Sequence, residues 1–159
     1  MNIPIILRPA AEEDVAQMIA ISLADGSTTR WTAQQWVDIF DPQSPPRLVL
    51  VAQEAALSPT VHGFLVALCG PARGEAADFE LENIAVHPSM RRQGIGRSLI
   101  SALLDHARLV RAGRILLEVR ESNVAAIRLY QSCGFTVLGN RREYYSNPVE
   151  NALVMVHTL

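Results

Sequence analysis

Phe79-Glu80-Leu81-Glu82-Asn83-Ile84-Ala85-Val86, then His87-Pro88-Ser89-Met90, then Arg91-Arg92-Gln93-Gly94-Ile95-Gly96-Arg97 form the stretch of this chain from which the fold is read. Phe79 and Leu81 occupy odd positions, Ile84 and Val86 even ones. Side chains of a strand alternate faces, so these four share a face only if an extra residue intervenes. The alternative is a strand buried on both faces. The parity change predicts a strand over 79–86 with a β-bulge near Glu82-Asn83, and a bulge leaves backbone groups free to bind something else. Beyond the two glycines, Leu99, Ile100, Leu103, Leu104, Ala107 and Val110 recur at three and four, an amphipathic helix that Gly113 stops. Glycines between a strand and a helix let the backbone approach a phosphate, while the helix start offers free N–H groups and its positive dipole end. Arg91, Arg92 and Arg97 add local positive charge. No Lys-Ser or Lys-Thr follows the second glycine and the Rossmann glycine pattern is absent, so neither a Walker A loop nor a dinucleotide fingerprint is present. A pyrophosphate is the expected ligand.

Working outward, Ile3–Arg8 reads as a strand and Ala10–Asp25 as a helix, with Glu12, Glu13 and Asp14 in its first turn and Gly26 as its stop. Thr32-Ala33-Gln34-Gln35 has capping-box spacing for a second helix to about Phe40. Arg47–Gln53 and Val61–Cys69 resemble a hairpin with a Ser58-Pro59 turn, and Gly70–Asp78 a loop. After the central helix come a strand at Arg114–Val119, a helix capped by Ser122 or Asn123 and running to about Ser132, and strands at about Phe135–Arg141 and Asn151–Thr158. The order β-α-α-β-β-β-α-β-α-β-β predicts one α/β domain over 1–159, with a mixed central sheet and helices on both faces.

The chain has 159 residues, 49% hydrophobic and 19% charged, enough apolar content for a core and far from the signature of disorder. A formal charge of −2 gives no global pull toward nucleic acid or an anionic membrane. Met1–Leu7 lacks a basic n-region, and no apolar run approaches the ~18 residues of a membrane span, so the cytosol is expected. Cys69 and Cys133 lack metal or disulfide spacing, and His62, His87, His106 and His157 are singletons. No metal is expected.

Leu81–Pro88 with Arg91–Gly96 resembles the acetyl-CoA signature of the GNAT superfamily of N-acetyltransferases. Leu117-Glu118-Val119-Arg120, Ser122-Asn123, Ala125-Ala126-Ile127, Leu129-Tyr130 and Gly134-Phe135 resemble the bacterial ribosomal-protein alanine N-acetyltransferases, a likeness running from about Phe79 to the C-terminus. The resemblance implies a GNAT fold and an acetyl-CoA-dependent enzyme. Ile84, Ala85 and Val86 would pair with the pantetheine arm. Arg91, Arg92, Gln93, Gly94, Ile95, Gly96 and Arg97 would hold the pyrophosphate, with Asn123 contacting coenzyme A. Glu118 would be the general base and Tyr130 the general acid. Glu82 is the rival base, because other GNAT enzymes place a carboxylate there. Trp31, Tyr144 and Tyr145 would bind the acceptor. The turn Asn147-Pro148-Val149-Glu150-Asn151 departs from the family, which usually has a glycine and a Glu-Asp pair there.

The chemistry supports those residue types independently. Attack on a thioester needs a neutral amine and a protonated departing sulfur, hence one proton acceptor and one donor. A carboxylate can do the first, and a phenol with a pKa of about 10 the second. Cys133, at a helix C-terminus, would be a poor thiolate nucleophile, which favours direct transfer over an acetyl-cysteine route. The expected acceptor is the N-terminal α-amine of a protein, plausibly a ribosomal one. The alternatives are a small-molecule amine, a lysine side chain, or a non-catalytic acetyl-CoA-binding module.

Overall fold

The computed structural model describes residues 4–27, 30–57, 59–70 and 76–159. Ile3 of the expected first strand, Ser58 of the expected turn and 71–75 of the expected loop lie outside the described residues. The elements are β1 (Ile5–Pro9), α1 (Val15–Asp25), α2 (Ala33–Asp38), β2 (Arg47–Glu54), β3 (Val61–Cys69), β4 (Asp78–Val86), α3 (Ile95–Leu109), β5 (Arg114–Arg120), α4 (Val124–Ser132), β6 (Thr136–Ser146) and β7 (Val149–Thr158). This is the expected order. The strands form one seven-stranded sheet, β1-β2-β3-β4-β5-β7-β6, antiparallel throughout except for the parallel pair β4–β5.

Each face of the sheet carries its own core. On one, Phe79 and Leu81 of β4 and Ile115 and Leu117 of β5 pack with Ile95, Leu99 and Leu103 of α3 and Tyr130 of α4. On the other, Val49 and Val51 of β2, Phe64 and Val66 of β3 and Ala85 of β4 pack with Met18 and Ile21 of α1 and Trp36 of α2. Each fully buried Leu or Ile contributes roughly 1.5–3 kcal/mol relative to exposure.

The bulge in β4 is real and sits at Glu82: Val66 pairs with Asn83, whereas Ala67 pairs with Leu81. The slip puts Ile84 and Val86 against the same core as Phe79 and Leu81 and leaves Ala85 in the opposite one.

Several boundaries differ from expectation for identifiable reasons. Glu12–Asp14 is a 3-10 turn, and α1 begins only at Val15. Asp14 serves Arg8 rather than a helix dipole, accepting from both guanidinium nitrogens at 2.7 and 2.8 Å. The capping box at Thr32 forms, with Thr32 N–H donating to Gln35 Oε1 at 2.8 Å and Gln35 N–H to Thr32 Oγ1 at 3.2 Å, but α2 ends at Asp38. β6 and β7 run further toward one another than expected, and β6 carries Tyr144 and Tyr145 beyond a second register break between Arg141 and Tyr145. Among the described residues, no helix is long and apolar enough to cross a membrane.

Candidate functional site

The site is built where β4 and β5 part. Their parallel pairing runs from Asp78↔Arg114 to Leu81↔Leu117 and stops. β3 holds β4 as far as Val86, and β7 holds β5 as far as Arg120. The facing edges at 82–86 and 118–120 therefore diverge, and Ile84, Ala85 and Val86 lie on the open one. Five residues of extended chain offer about 16 Å of backbone edge, enough to receive a second extended chain.

At the far end of that edge lies the start of α3. Gly94 is its N-cap, at φ 83 and ψ 0, and no side chain caps the helix. Those first amides lack intrahelical partners and face outward with the positive dipole end. A Cβ at Gly94 would meet nothing within 4 Å, so open space adjoins the amides. A Cβ at Gly96 would meet Leu129 Cδ2 of α4 at 3.0 Å, so this second glycine also lets α3 and α4 approach. An open strand edge leading to an uncapped, glycine-bounded helix start fits a long ligand that ends in a pyrophosphate.

The expected phosphate ligands do not all behave alike. Arg92, exposed at φ 65, makes no side-chain hydrogen bond or ion pair among the described residues. Arg91 pairs with Asp25 at 2.7 Å. Arg97 donates to the Ser132 hydroxyl at 2.9 Å and the Ser132 carbonyl at 3.4 Å, which ties α3 to the end of α4. Gln93 donates to Met90 Sδ at 3.8 Å. Ile95 is a buried core residue rather than a surface contact. Asn123 caps α4, its Oδ1 accepting from Ala126 N–H at 3.2 Å.

On the other side of the gap stand the residues expected to do chemistry. Glu118 of β5 forms an ion pair with Arg141 of β6, Oε1 to Nε at 2.9 Å. The Tyr144 hydroxyl also bonds Glu118, and that bond, then burial and the carboxylate's charge, pushes the phenol up to about 12. Arg141 lies over the Tyr144 ring, 5.4 Å from its centroid, and Tyr144 meets Tyr145 edge to face at 5.1 Å. Arg120 stacks on Tyr145 at 4.1 Å and is held by Glu150 at 3.2 Å. Glu150 also accepts from Ser122 N–H at 2.6 Å, and the Ser122 and Arg120 contacts hold its carboxyl below the usual range. The turn that departs from the family is thus what anchors the tyrosine-bearing hairpin to the start of α4.

Tyr130 of α4 is 6% exposed and packs on Phe135 with ring centroids 5.9 Å apart. Burial raises its phenol well above the ordinary value, with smaller contributions from Tyr145, Asp25 and Cys133. Trp31 packs on Trp36 at 5.0 Å in the connection between α1 and α2. Glu82 is bound by Arg47, Nε to Oε2 at 2.6 Å and a second nitrogen to Oε1 at 3.2 Å.

The structure therefore gathers Glu118, Tyr144 and Tyr145 at one end of the gap, with Tyr130 in their neighbourhood. It also brings in residues that the sequence reading left out. Arg141 and Arg120 are two. Glu80 is a third: its carboxyl is raised by burial and by Glu82 and Glu118, with the Arg141 charge acting the other way. Glu80 pairs with Leu116 in a parallel register, which puts it on the same face as Glu118. Strand parity was the signal that could have found it, given the pairing.

Residues 17–135 match the acetyltransferase (GNAT) family. The chain is 46% identical over 77 residues to the ribosomal protein bS18-alanine N-acetyltransferase of Escherichia coli strain K12, covering 47% of this chain and 52% of that protein. It is also 46% identical over 86 residues to the N-alpha-acetyltransferase RimI of Mycobacterium tuberculosis, covering 52% of each. The match thus spans about half the length of these curated relatives. The crystal structure of the Escherichia coli ribosomal-protein-S18-alanine N-acetyltransferase superposes with a TM-score of 0.82 at 25% identity, covering 98% of this chain and 94% of that one.

Proposed function

Because the chain belongs to the acetyltransferase (GNAT) family, we propose that it transfers acetyl from acetyl-CoA directly to the N-terminal α-amine of a protein. The observation that carries the reading is the open β4 edge, with the uncapped start of α3 at one end and the Glu118, Tyr144 and Tyr145 group at the other. The relatives' names support a ribosomal protein as acceptor, and such an acceptor would put the reaction in the cytosol.

Acetyl-CoA supplies a thioester whose carbonyl carbon is the electrophile. The edge of Ile84–Val86 orients the chain bearing it, and Arg92 with the first amides of α3 binds the pyrophosphate charge. Asn123, beyond capping α4, keeps its amide nitrogen for the same ligand. As the amine nitrogen bonds to the carbonyl carbon, Glu118 accepts the nitrogen's proton, directly or through one water. The carbon–sulfur bond breaks and Tyr130 gives its hydroxyl proton to the sulfur. Burial keeps Tyr130 protonated until that moment.

The acceptor class follows from the proton that must leave. At pH 7 roughly a tenth of peptide α-amines are neutral, but under about a thousandth of lysine amines. One carboxylate suffices for the easier proton. Tyr144 and Tyr145, which meet edge to face, suit a peptide backbone better than a flexible lysine stem.

The test is a peptide panel with the acetylated position mapped by fragmentation mass spectrometry. Peptides with free N-terminal Ala or Ser should be modified at the α-amine, and blocking that amine should abolish activity even where lysines remain. Modification mainly on lysine, or on a polyamine in preference to every peptide, would overturn the assignment.

A further inference from the structure

Arg91 stands beside Arg92 in the loop assigned to pyrophosphate, yet its guanidinium is engaged elsewhere. One terminal nitrogen donates to Asp25 Oδ1 at 2.7 Å and to the Asp25 carbonyl at 3.4 Å, and Nε donates to the Val86 carbonyl at 3.4 Å. The Asp25 side chain is 8% exposed. Asp25 is the last residue of α1, closed by Gly26 in the left-handed conformation at φ 69. The connection that starts there leads through Trp31 to the capping box of α2. Val86 ends the open edge of β4. One guanidinium therefore joins the phosphate loop, the end of the cofactor edge and the root of the acceptor segment. Asp25 also lies near enough to Tyr130 to help keep its phenol protonated.

We infer that Arg91 is a positioning residue rather than a phosphate ligand: its ion pair with Asp25 fixes the end of α1, whose Met18 and Ile21 share a core with Trp36 and Trp31, against the cofactor loop. The inference rests on the acetyl-transfer reading and withdraws Arg91 from the set of pyrophosphate contacts. Arg92 keeps that role. Three of the five guanidinium N–H groups point at Asp25 and Val86, which turns the fork away from a phosphate, and the Asp25 carboxylate cancels the charge that would attract one.

The test is a double-mutant cycle on the full chain. Arg91→Ala, Asp25→Asn and the double variant are compared with Arg92→Ala, reading the Kd of acetyl-CoA by calorimetry and the KM and kcat for an Ala-starting peptide. Each latch variant should raise peptide KM by about tenfold while changing the acetyl-CoA Kd by less than about twofold, and the double variant should be no worse than either single one. Arg92→Ala should do the reverse, weakening acetyl-CoA and sparing peptide KM. If Arg91→Ala weakens acetyl-CoA as Arg92→Ala does, while Asp25→Asn is harmless, Arg91 is a phosphate ligand and the inference is wrong. Should Arg91→Ala fail to fold, Arg91→Lys keeps the charge but loses the forked contact, and the same split must appear. Failure of the wild-type chain to bind acetyl-CoA would sink the acetyl-transfer reading itself. Binding and turnover without coupling in the cycle would sink the latch alone.

Discussion

A hydroxyl that must protonate a thiolate has to hold its proton until the carbon–sulfur bond breaks, and the burial of Tyr130 secures this. Glu118 faces the opposite demand. As the proposed base it would take a proton while the Arg141 guanidinium lies 2.9 Å from Oε1, so the incoming amine would use the other oxygen or reach the carboxylate through water. Tyr130→Phe and Glu118→Gln should each lower kcat by roughly 10²–10⁴-fold while the acetyl-CoA Kd stays near wild type. Steady-state kinetics beside calorimetry checks this, with Glu82→Gln and Glu80→Gln in parallel. A crippled Glu82→Gln or Glu80→Gln beside an active Glu118→Gln would move the base to β4. Glu118 and Tyr130 are proposed from short runs that resemble known sequences, and the fold places both beside the gap. Arg141 and Arg120 were not, since their meaning comes from partners in other strands. Arg91 depends on the fold in the same way: three arginines around two glycines look alike in sequence, and only the fold shows that one is paired with a buried aspartate.

At the level of elements, the bulge in β4 and the cap of α2 were legible because each is contained within a few residues. The parity change in β4 located the bulge within one residue, because face alternation is a property of the strand itself. The capping box at Thr32 is likewise contained in four residues. The start of α1 was placed early because three carboxylates look like a helix N-terminus, whereas Asp14 bonds Arg8 in the neighbouring strand. β6 was drawn short because residues 142–144 break register and its continuation depends on pairing with β7. The α3 start carries an element-scale prediction. At φ 83, Gly94→Ala costs about 1–2 kcal/mol of backbone strain and should weaken acetyl-CoA by tilting the amides that receive phosphate. Gly96→Ala meets only the flexible end of Leu129 and should fold and bind almost normally. Gly96→Glu should lose acetyl-CoA binding, because its side chain wedges beside Leu129 at the α3–α4 contact and its charge competes with the pyrophosphate, with circular dichroism reporting that the fold survives. Calorimetry on the three variants checks the ranking, and tight binding by Gly96→Glu would move the pyrophosphate elsewhere.

Across the whole molecule, sheet order is the feature no local pattern discloses, and the site depends on it. β4 and β5 diverge because each is held along its full length by an antiparallel partner on its outer side, β3 and β7, while they share only four paired positions with each other. Nothing in the run Arg114–Arg120 states that its neighbours are β4 and β7.

The same dependence on distant pairing decides how β1 and α1 are held, and this yields a pH prediction. Arg8 of β1 donates to both Asp14 oxygens, at 2.7 and 2.8 Å, and its Nε donates to Gln53 Oε1 of β2 at 2.7 Å. Asp14 is 5% exposed and also accepts from Ala11 N–H at 2.8 Å. The bond from Arg8 holds the Asp14 carboxyl below its ordinary value, with the Ala11 bond and the guanidinium charge acting the same way against burial. A carboxyl depressed in the fold contributes stability that is present above its unfolded pKa of about 3.9 and is lost as pH falls through the lower folded value. Asp14→Asn leaves the Arg8 guanidinium short of a charged partner and should cost about 2–3 kcal/mol at pH 7. For a chain of this size that is roughly 5–10 °C in Tm. The difference should hold from neutral pH down to the unfolded carboxylate range and then close with further acid, as the wild type loses a contribution that Asp14→Asn never had. Calorimetric melts of both chains from pH 7 to pH 2.5 measure it, and a gap that stays constant below pH 4 would mean that Asp14 acts through shape and hydrogen bonding rather than charge.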